Sequence, residues 1–126
     1  MDQDEIIAYW YQSEERNRND AQSMFVSNHY DWSLFVWHLA IEKRLKGILT
    51  SKNLEQPKIH NLVKLFDMAG IDLTPQLRND LQEITAFNLE TRYAEYKYEF
   101  YKRADQEYAE MWGKKCEEIY QWLKTQ

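Results

Sequence analysis

The longest regular pattern in the chain is an apolar stripe at steps of four and three: Tyr30, Leu34, Trp37, Ile41, Leu45 and Ile48. That spacing keeps the side chains on one face and predicts a helix over about 30–52 with a wide buried surface. Before it, a first helix is predicted from near Asp2 to about Ser27, since Asp2 and Glu5 stand at capping-box spacing. Its middle is unusual: Gln12–Asp20 has no apolar residue in nine positions, and one face runs Trp10, Ser13, Asn17, Ala21, Met24. The simplest expectation is that this stretch projects past the core into solvent. The alternatives are a polar groove lined by Ser13 and Asn17, or a break into two helices. Asn28 is placed to end this segment and cap the next, with Asp31 at the third helical position. So short a link makes the two helices antiparallel neighbours.

Residues 51–58 (SKNLEQPK) form a polar loop with Pro57 as a stop. A short third helix is predicted over about 60–69, carrying Leu62, Val63, Leu65 and Phe66 and closed by Gly70. Thr74 and Pro75 have the character of an N-cap and first helical position, opening a fourth helix through Leu77, Leu81, Ile84, Phe87 and Leu89. Tyr93–Tyr101 then holds five aromatics in nine residues and fits neither a helical face nor a strict alternation, so it is either irregular or continued helix. A last helix over about 104–125 carries Tyr108, Trp112, Cys116, Ile119 and Leu123. With no repeat or linker, the expectation is one domain over residues 1–126. Its class is all-α, an up-and-down bundle of about five helices.

Composition agrees. Three Gly and two Pro in 126 residues are too few for the turns of an all-β chain. Sixteen basic against 21 acidic residues give a net charge of −5, so nucleic acid would have to meet a local patch rather than a global basic field. No apolar run approaches the roughly 18–20 residues of a membrane-spanning helix. The acidic start MDQDEIIAYW resembles neither a signal nor a transit peptide, and a lone Cys116 suits a reducing compartment. A cytoplasmic protein without membrane contact is expected.

The chemistry is sparse. His29, His38 and His60 lie on or near different segments, there is no HExxH motif and no Cys pair, so neither a metal nor a cofactor is expected. No glycine-rich loop precedes a helix, and Cys116 falls on an apolar stripe, where a thiol is core filler. His38 and Glu42 are four apart and share a helical face, where they form a hydrogen-bonded pair or, with partners elsewhere, ligate a metal; the structural contact is the favoured reading. Glu42-Lys43-Arg44-x-Lys46 is a local basic cluster, in which Lys43 and Lys46 can share a face; such clusters ordinarily form a solvated rim. Asn88 and Arg92 are four apart near the end of the fourth helix. An Arg there either bonds the last carbonyls of its own helix or offers a guanidinium to phosphate, beside Tyr rings able to stack on bases.

Three blocks occur in order: Ala40-x-Glu42-Lys43-x-Leu45-Lys46, Pro57-x-x-His60-x-Leu62, and Asn88-x-x-x-Arg92-Tyr93. Together they resemble the HEPN domain of prokaryotic nucleotide-binding and toxin proteins, over nearly the whole chain. The resemblance implies a homodimer, often paired with a minimal nucleotidyltransferase in toxin–antitoxin fashion, and a groove for nucleotides or RNA. In the ribonuclease branch the site is an Arg followed four to six residues later by a His; Arg92 matches the Arg, but Lys97, Tyr98 and Glu99 occupy the His positions. RNA cleavage of this kind needs a proton shuttle near neutral pH, for which imidazole is suited. The favoured reading is therefore a nucleotide- or RNA-binding module with no catalytic residue, its groove formed by Arg92, Asn88, Glu42, Lys43 and Lys46. A toxin-type ribonuclease with a displaced general base, drawn from His60 or His38, is one alternative. A protein-interaction module using the aromatic tract 93–101 is the other.

Overall fold

The computed structural model describes residues 2–126. Among them are six helices and no strand: α1 (Gln3–Val26), α2 (Tyr30–Ser51), α3 (Leu62–Met68), α4 (Pro75–Arg92), α5 (Ala94–Arg103) and α6 (Gln106–Leu123). The all-helical bundle is as expected, with six helices instead of five because the aromatic tract forms a helix of its own.

Side-chain caps set most starts. Asp2 accepts from the Glu5 N–H at 2.8 Å, Asn61 from Lys64 at 3.2 Å, Thr74 from Leu77 at 3.1 Å and Asp105 from Tyr108 at 2.9 Å. Asn28 behaves differently from expectation. It adopts φ +66° and closes α1, with its N–H on the Phe25 carbonyl and the His29 N–H on that of Met24. His29, not Asn28, is the N-cap residue of α2, and its side chain makes no cap bond. Asn53 (φ +58°) closes α2 and Gly70 (φ +73°) closes α3 with the same pair of backbone bonds.

Helix α2 is the axis of the bundle and packs against every other helix. Leu34, Trp37, Ile41, Leu45 and Ile48 are buried as their spacing requires, and Val36, Ala40 and Leu49 are buried beside them. Helices α1 and α2 run antiparallel, tied by Gln3 to the Thr50 carbonyl at one end and by Ser33 to the Ala21 carbonyl near the other.

The polar middle of α1 does not project into solvent. Glu14 is buried, its carboxylate 3.1 Å from the Arg44 guanidinium, and the Tyr120 hydroxyl of α6 donates to Glu15 at 2.7 Å. Arg18 bonds Glu117 at 2.5 Å and Lys43 donates to Ser13 at 2.7 Å. Burial of these polar groups is offset by the charged and hydroxyl partners that α2 and α6 supply, while Glu14 Oε2 and Asn17 Oδ1 are buried without a hydrogen-bond partner.

On α4 the inward stripe is Leu81, Ile84, Phe87, Asn88 and Thr91, which leaves Leu89 45% exposed rather than in the core. Tyr93 (φ −93°, ψ 129°) breaks the helix. Helix α5 buries a single residue, Phe100, whose ring lies 5.6 Å from that of Phe87; Trp112 of α6 packs on Phe87 from another side. Tyr93, Tyr96, Tyr98 and Tyr101 remain exposed.

Candidate functional site

The candidate site forms where α2, the loop before α3 and the last turn of α4 meet. His38 is fully buried at its floor. Its Nε2 lies 2.9 Å from the backbone carbonyl of His60, a group that only accepts, so Nε2 carries the proton and donates. Burial, outweighing the attraction of Glu42, lowers the His38 pKa and keeps the ring neutral. Nδ1 is then an acceptor, and the Asn88 amide donates to it at 3.4 Å.

That contact orients Asn88. With its NH2 turned to His38, its Oδ1 faces Arg92, which donates Nη2–H at 2.5 Å and Nε–H to the Asn88 main-chain carbonyl at 3.1 Å. The guanidinium therefore caps its own helix. It does so with one edge only, and Nη1 has no partner among the described residues. Arg92 is exposed, and the exposed Tyr93 ring lies 5.4 Å from its guanidinium carbon. Of the two readings of Arg92 offered by the sequence, the helix-capping one is what the structure shows.

Glu42 carries the network the other way. Although it shares a helical face with His38, its bonds go elsewhere: Oε1 accepts from His60 Nδ1 at 2.6 Å, and Oε2 pairs with Lys46 at 3.3 Å. The Glu42 and Lys46 side chains are almost wholly buried, whereas the His60 side chain is 51% exposed. Lys46 also lies over the Trp10 ring, its Nζ 5.8 Å from the centroid.

Four of the five expected residues thus join one hydrogen-bonded assembly. The order is Arg92, Asn88, His38, His60, Glu42, Lys46. Lys43 is not part of it: its ammonium is spent on Ser13, where burial lowers its pKa. The cluster on α2 is consequently no solvated rim, since each basic side chain has a fixed partner. His38 and His60 were not among the expected contact residues, though the His38–Glu42 spacing and the Pro57-x-x-His60 block both pointed at them. The network lies away from a 480 Å³ groove lined by the apolar Phe25, Val26, Trp37 and Ala109 together with Gln22, Ser33, Glu110, Lys114 and Glu117.

A profile of the HEPN domain matches residues 7–126. The chain belongs to the HEPN domain family. Its fold is similar to that of TT1696 from Thermus thermophilus, with a TM-score of 0.80 at 17% identity over 94% of this chain and 96% of that one. It is also similar to ST0689, an archaeal HEPN homologue, with a TM-score of 0.67 at 20% identity over 94% and 95% of the two chains. At these identities the likeness is one of fold. Comparison with curated protein sequences gives no match.

In this HEPN domain Lys97, Tyr98 and Glu99, at the positions where the ribonuclease motif would carry its His, all lie exposed on α5. Lys97 sits over Trp32 at 5.7 Å, and Tyr98 receives Lys102 over its ring at 4.6 Å. No group of three or more His, Cys, Asp or Glu among the described residues is arranged to hold a metal ion. No described helix is long and apolar enough to cross a membrane. Cys116 is fully buried, and burial pushes its thiol pKa well up, so it stays an inert thiol.

Proposed function

We propose that this HEPN domain binds nucleotides or RNA, with Arg92 as the phosphate contact. The observation that carries this reading is the half-engaged guanidinium. Asn88 fixes one edge of Arg92 from below, the buried neutral His38 fixes Asn88, and the outer edge faces solvent. A planar cation held in this way loses little side-chain freedom when it meets a phosphate, and its remaining donors match two phosphate oxygens. Exposed Tyr93 beside it offers a stacking face for a base. Glu42 and Lys46 act from behind, holding His60; Lys43 contributes positive potential from the α1 side.

A homodimer is part of the proposal. Four tyrosines with Leu89 and Trp32 are exposed around α5 and the start of α2, and aromatic residues are favoured interface anchors. A minimal nucleotidyltransferase as second partner rests on the family resemblance, and co-purification with the products of flanking genes tests it.

Thermal unfolding of the purified protein with ATP, GTP and a single-stranded oligoribonucleotide tests the binding reading. At least one should raise the melting temperature in a concentration-dependent way. No shift with any of them, at concentrations far above the micromolar range, contradicts it.

A further inference from the structure

Helices α1 and α6 are tied at one end and splay apart at the other. Arg18 pairs with Glu117 at 2.5 Å and Tyr120 donates to Glu15 at 2.7 Å. Past Arg18, towards the end of α1, no hydrogen bond or ion pair joins the two helices among the described residues. The 480 Å³ groove opens there, between Phe25 and Val26 of α1 and Ala109 and Gly113 of α6, over Ser33 and Trp37 of α2. That volume suits a small molecule, and an apolar hollow with a few convergent polar groups is the ordinary form of a ligand site.

Gly113 stands inside the 18-residue helix α6, where glycine is a poorer helix former than alanine. Packing does not call for it. A Cβ there would meet, within 4 Å and outside its own helix, only the Trp37 indole nitrogen, at an ordinary 3.6 Å. The missing side chain leaves Trp37 Nε1–H uncovered in the groove, and this donor has no hydrogen-bond partner among the described residues. Glu110 and Lys114 are exposed on the α6 rim, four apart, the spacing at which such side chains pair with each other. Neither has an ion-pair partner among the described residues, whereas Glu117 on the same rim is taken by Arg18. The groove thus offers one anion, one cation and one N–H donor around aromatic walls.

We propose that this groove binds a small zwitterion with a flat apolar body, of the aromatic amino acid class. The carboxylate lies between Lys114 and Trp37 Nε1–H, the ammonium meets Glu110, and the ring packs against Phe25 and the edge of Trp37. A zwitterion answers both rim charges at once, and a simple amine or acid answers one. The site shares no residue with the Arg92 network and stands independently of the phosphate reading.

The test follows the Trp37 indole N–H resonance of the ¹⁵N-labelled protein, identified by its loss in Trp37→Phe, during titration with L-phenylalanine. Phenethylamine and 3-phenylpropanoate supply the same ring with one charge each. L-Phenylalanine should shift the resonance saturably, with a Kd of about 1 mM or tighter, and each single-charge probe should bind about 5-fold weaker. Lys114→Ala should weaken L-phenylalanine and 3-phenylpropanoate but not phenethylamine; Glu110→Ala should weaken L-phenylalanine and phenethylamine but not 3-phenylpropanoate. Gly113→Ala should raise the melting temperature while weakening L-phenylalanine about 5-fold, and Gly113→Leu should abolish binding. A Trp37 resonance unmoved by L-phenylalanine at about 10 mM overturns the site. So does wild-type affinity in Gly113→Leu. Affinity for L-phenylalanine unchanged in both Lys114→Ala and Glu110→Ala overturns the zwitterion as its ligand.

Discussion

The Asn88 side-chain amide donates to His38 Nδ1 at 3.4 Å, and this contact decides which way Asn88 offers its oxygen to Arg92. Asn88→Ala therefore removes two things: the donor on a fully buried ring nitrogen and one of the two anchors of Arg92. Leaving His38 Nδ1 unsatisfied should cost about 1–3 kcal/mol. Urea denaturation checks the loss, and a stability within about 0.5 kcal/mol of wild type would show that the contact carries little weight.

Glu14 gives the fold a pH dependence of its own. Burial raises its pKa from 4.5 to about 7, against the lowering effects of Arg44, Tyr120 and Lys124 and with a small further rise from Glu15. The native state holds this proton more tightly than the unfolded chain does. The contribution to stability is full below about 4.5 and is lost as pH rises through about 7. Glu14→Gln stays neutral and should remove a decline of about 1–3 kcal/mol over that window. Because Glu14 is ionised beside Arg44 only above about pH 7, the variant loses a charged partner of Arg44 at pH 8 but not at pH 5, so urea denaturation at the two pH values should be judged by the change between them, and equal changes in the two proteins would refute the assignment.

Gly47 faces the Tyr11 ring, and a Cβ there would overlap it. That ring stacks against Arg44, whose guanidinium carbon is 3.9 Å from its centroid. Gly47→Ala should destabilise by about 1–3 kcal/mol through displacement of the ring. A Tyr11→Ala background should absorb most of that cost, so a double-mutant cycle by thermal denaturation reads the coupling directly.

The aromatic tract divides into core and surface. Phe100→Ala opens a hole against Phe87 and should cost about 3–5 kcal/mol, which makes it a poor probe of any interface. Tyr96→Ala combined with Tyr98→Ala should leave the monomer's stability within about 0.5 kcal/mol, since both are exposed. Sedimentation should then show the proposed dimer shifted to monomer. An unchanged dimer places the interface elsewhere.

Local physics explains what was legible in the sequence. The caps at Asp2 and Thr74 and the stripe of α2 depend on neighbours a few positions away, and they appear in the structure as their spacing predicts. The fate of Gln12–Asp20 was not legible, because its partners Arg44, Glu117 and Tyr120 lie on distant segments. The tract 93–101 resisted a periodic reading because α5 buries Phe100 alone, too little to imprint a stripe. In the site, the Asn88–Arg92 pair follows from helical spacing, whereas the His60–Glu42 bond depends on how the loop from Pro57 returns to α2. Only the fold joins them.

The proposed phosphate contact of Arg92 is tested most directly by an equilibrium titration of wild type and Arg92→Ala with a fluorescent single-stranded oligoribonucleotide at low and moderate salt. Loss of one charge-assisted phosphate contact predicts about 10-fold weaker binding or more, together with a shallower dependence on salt. Equal affinity and equal salt slope for the two proteins would contradict the account.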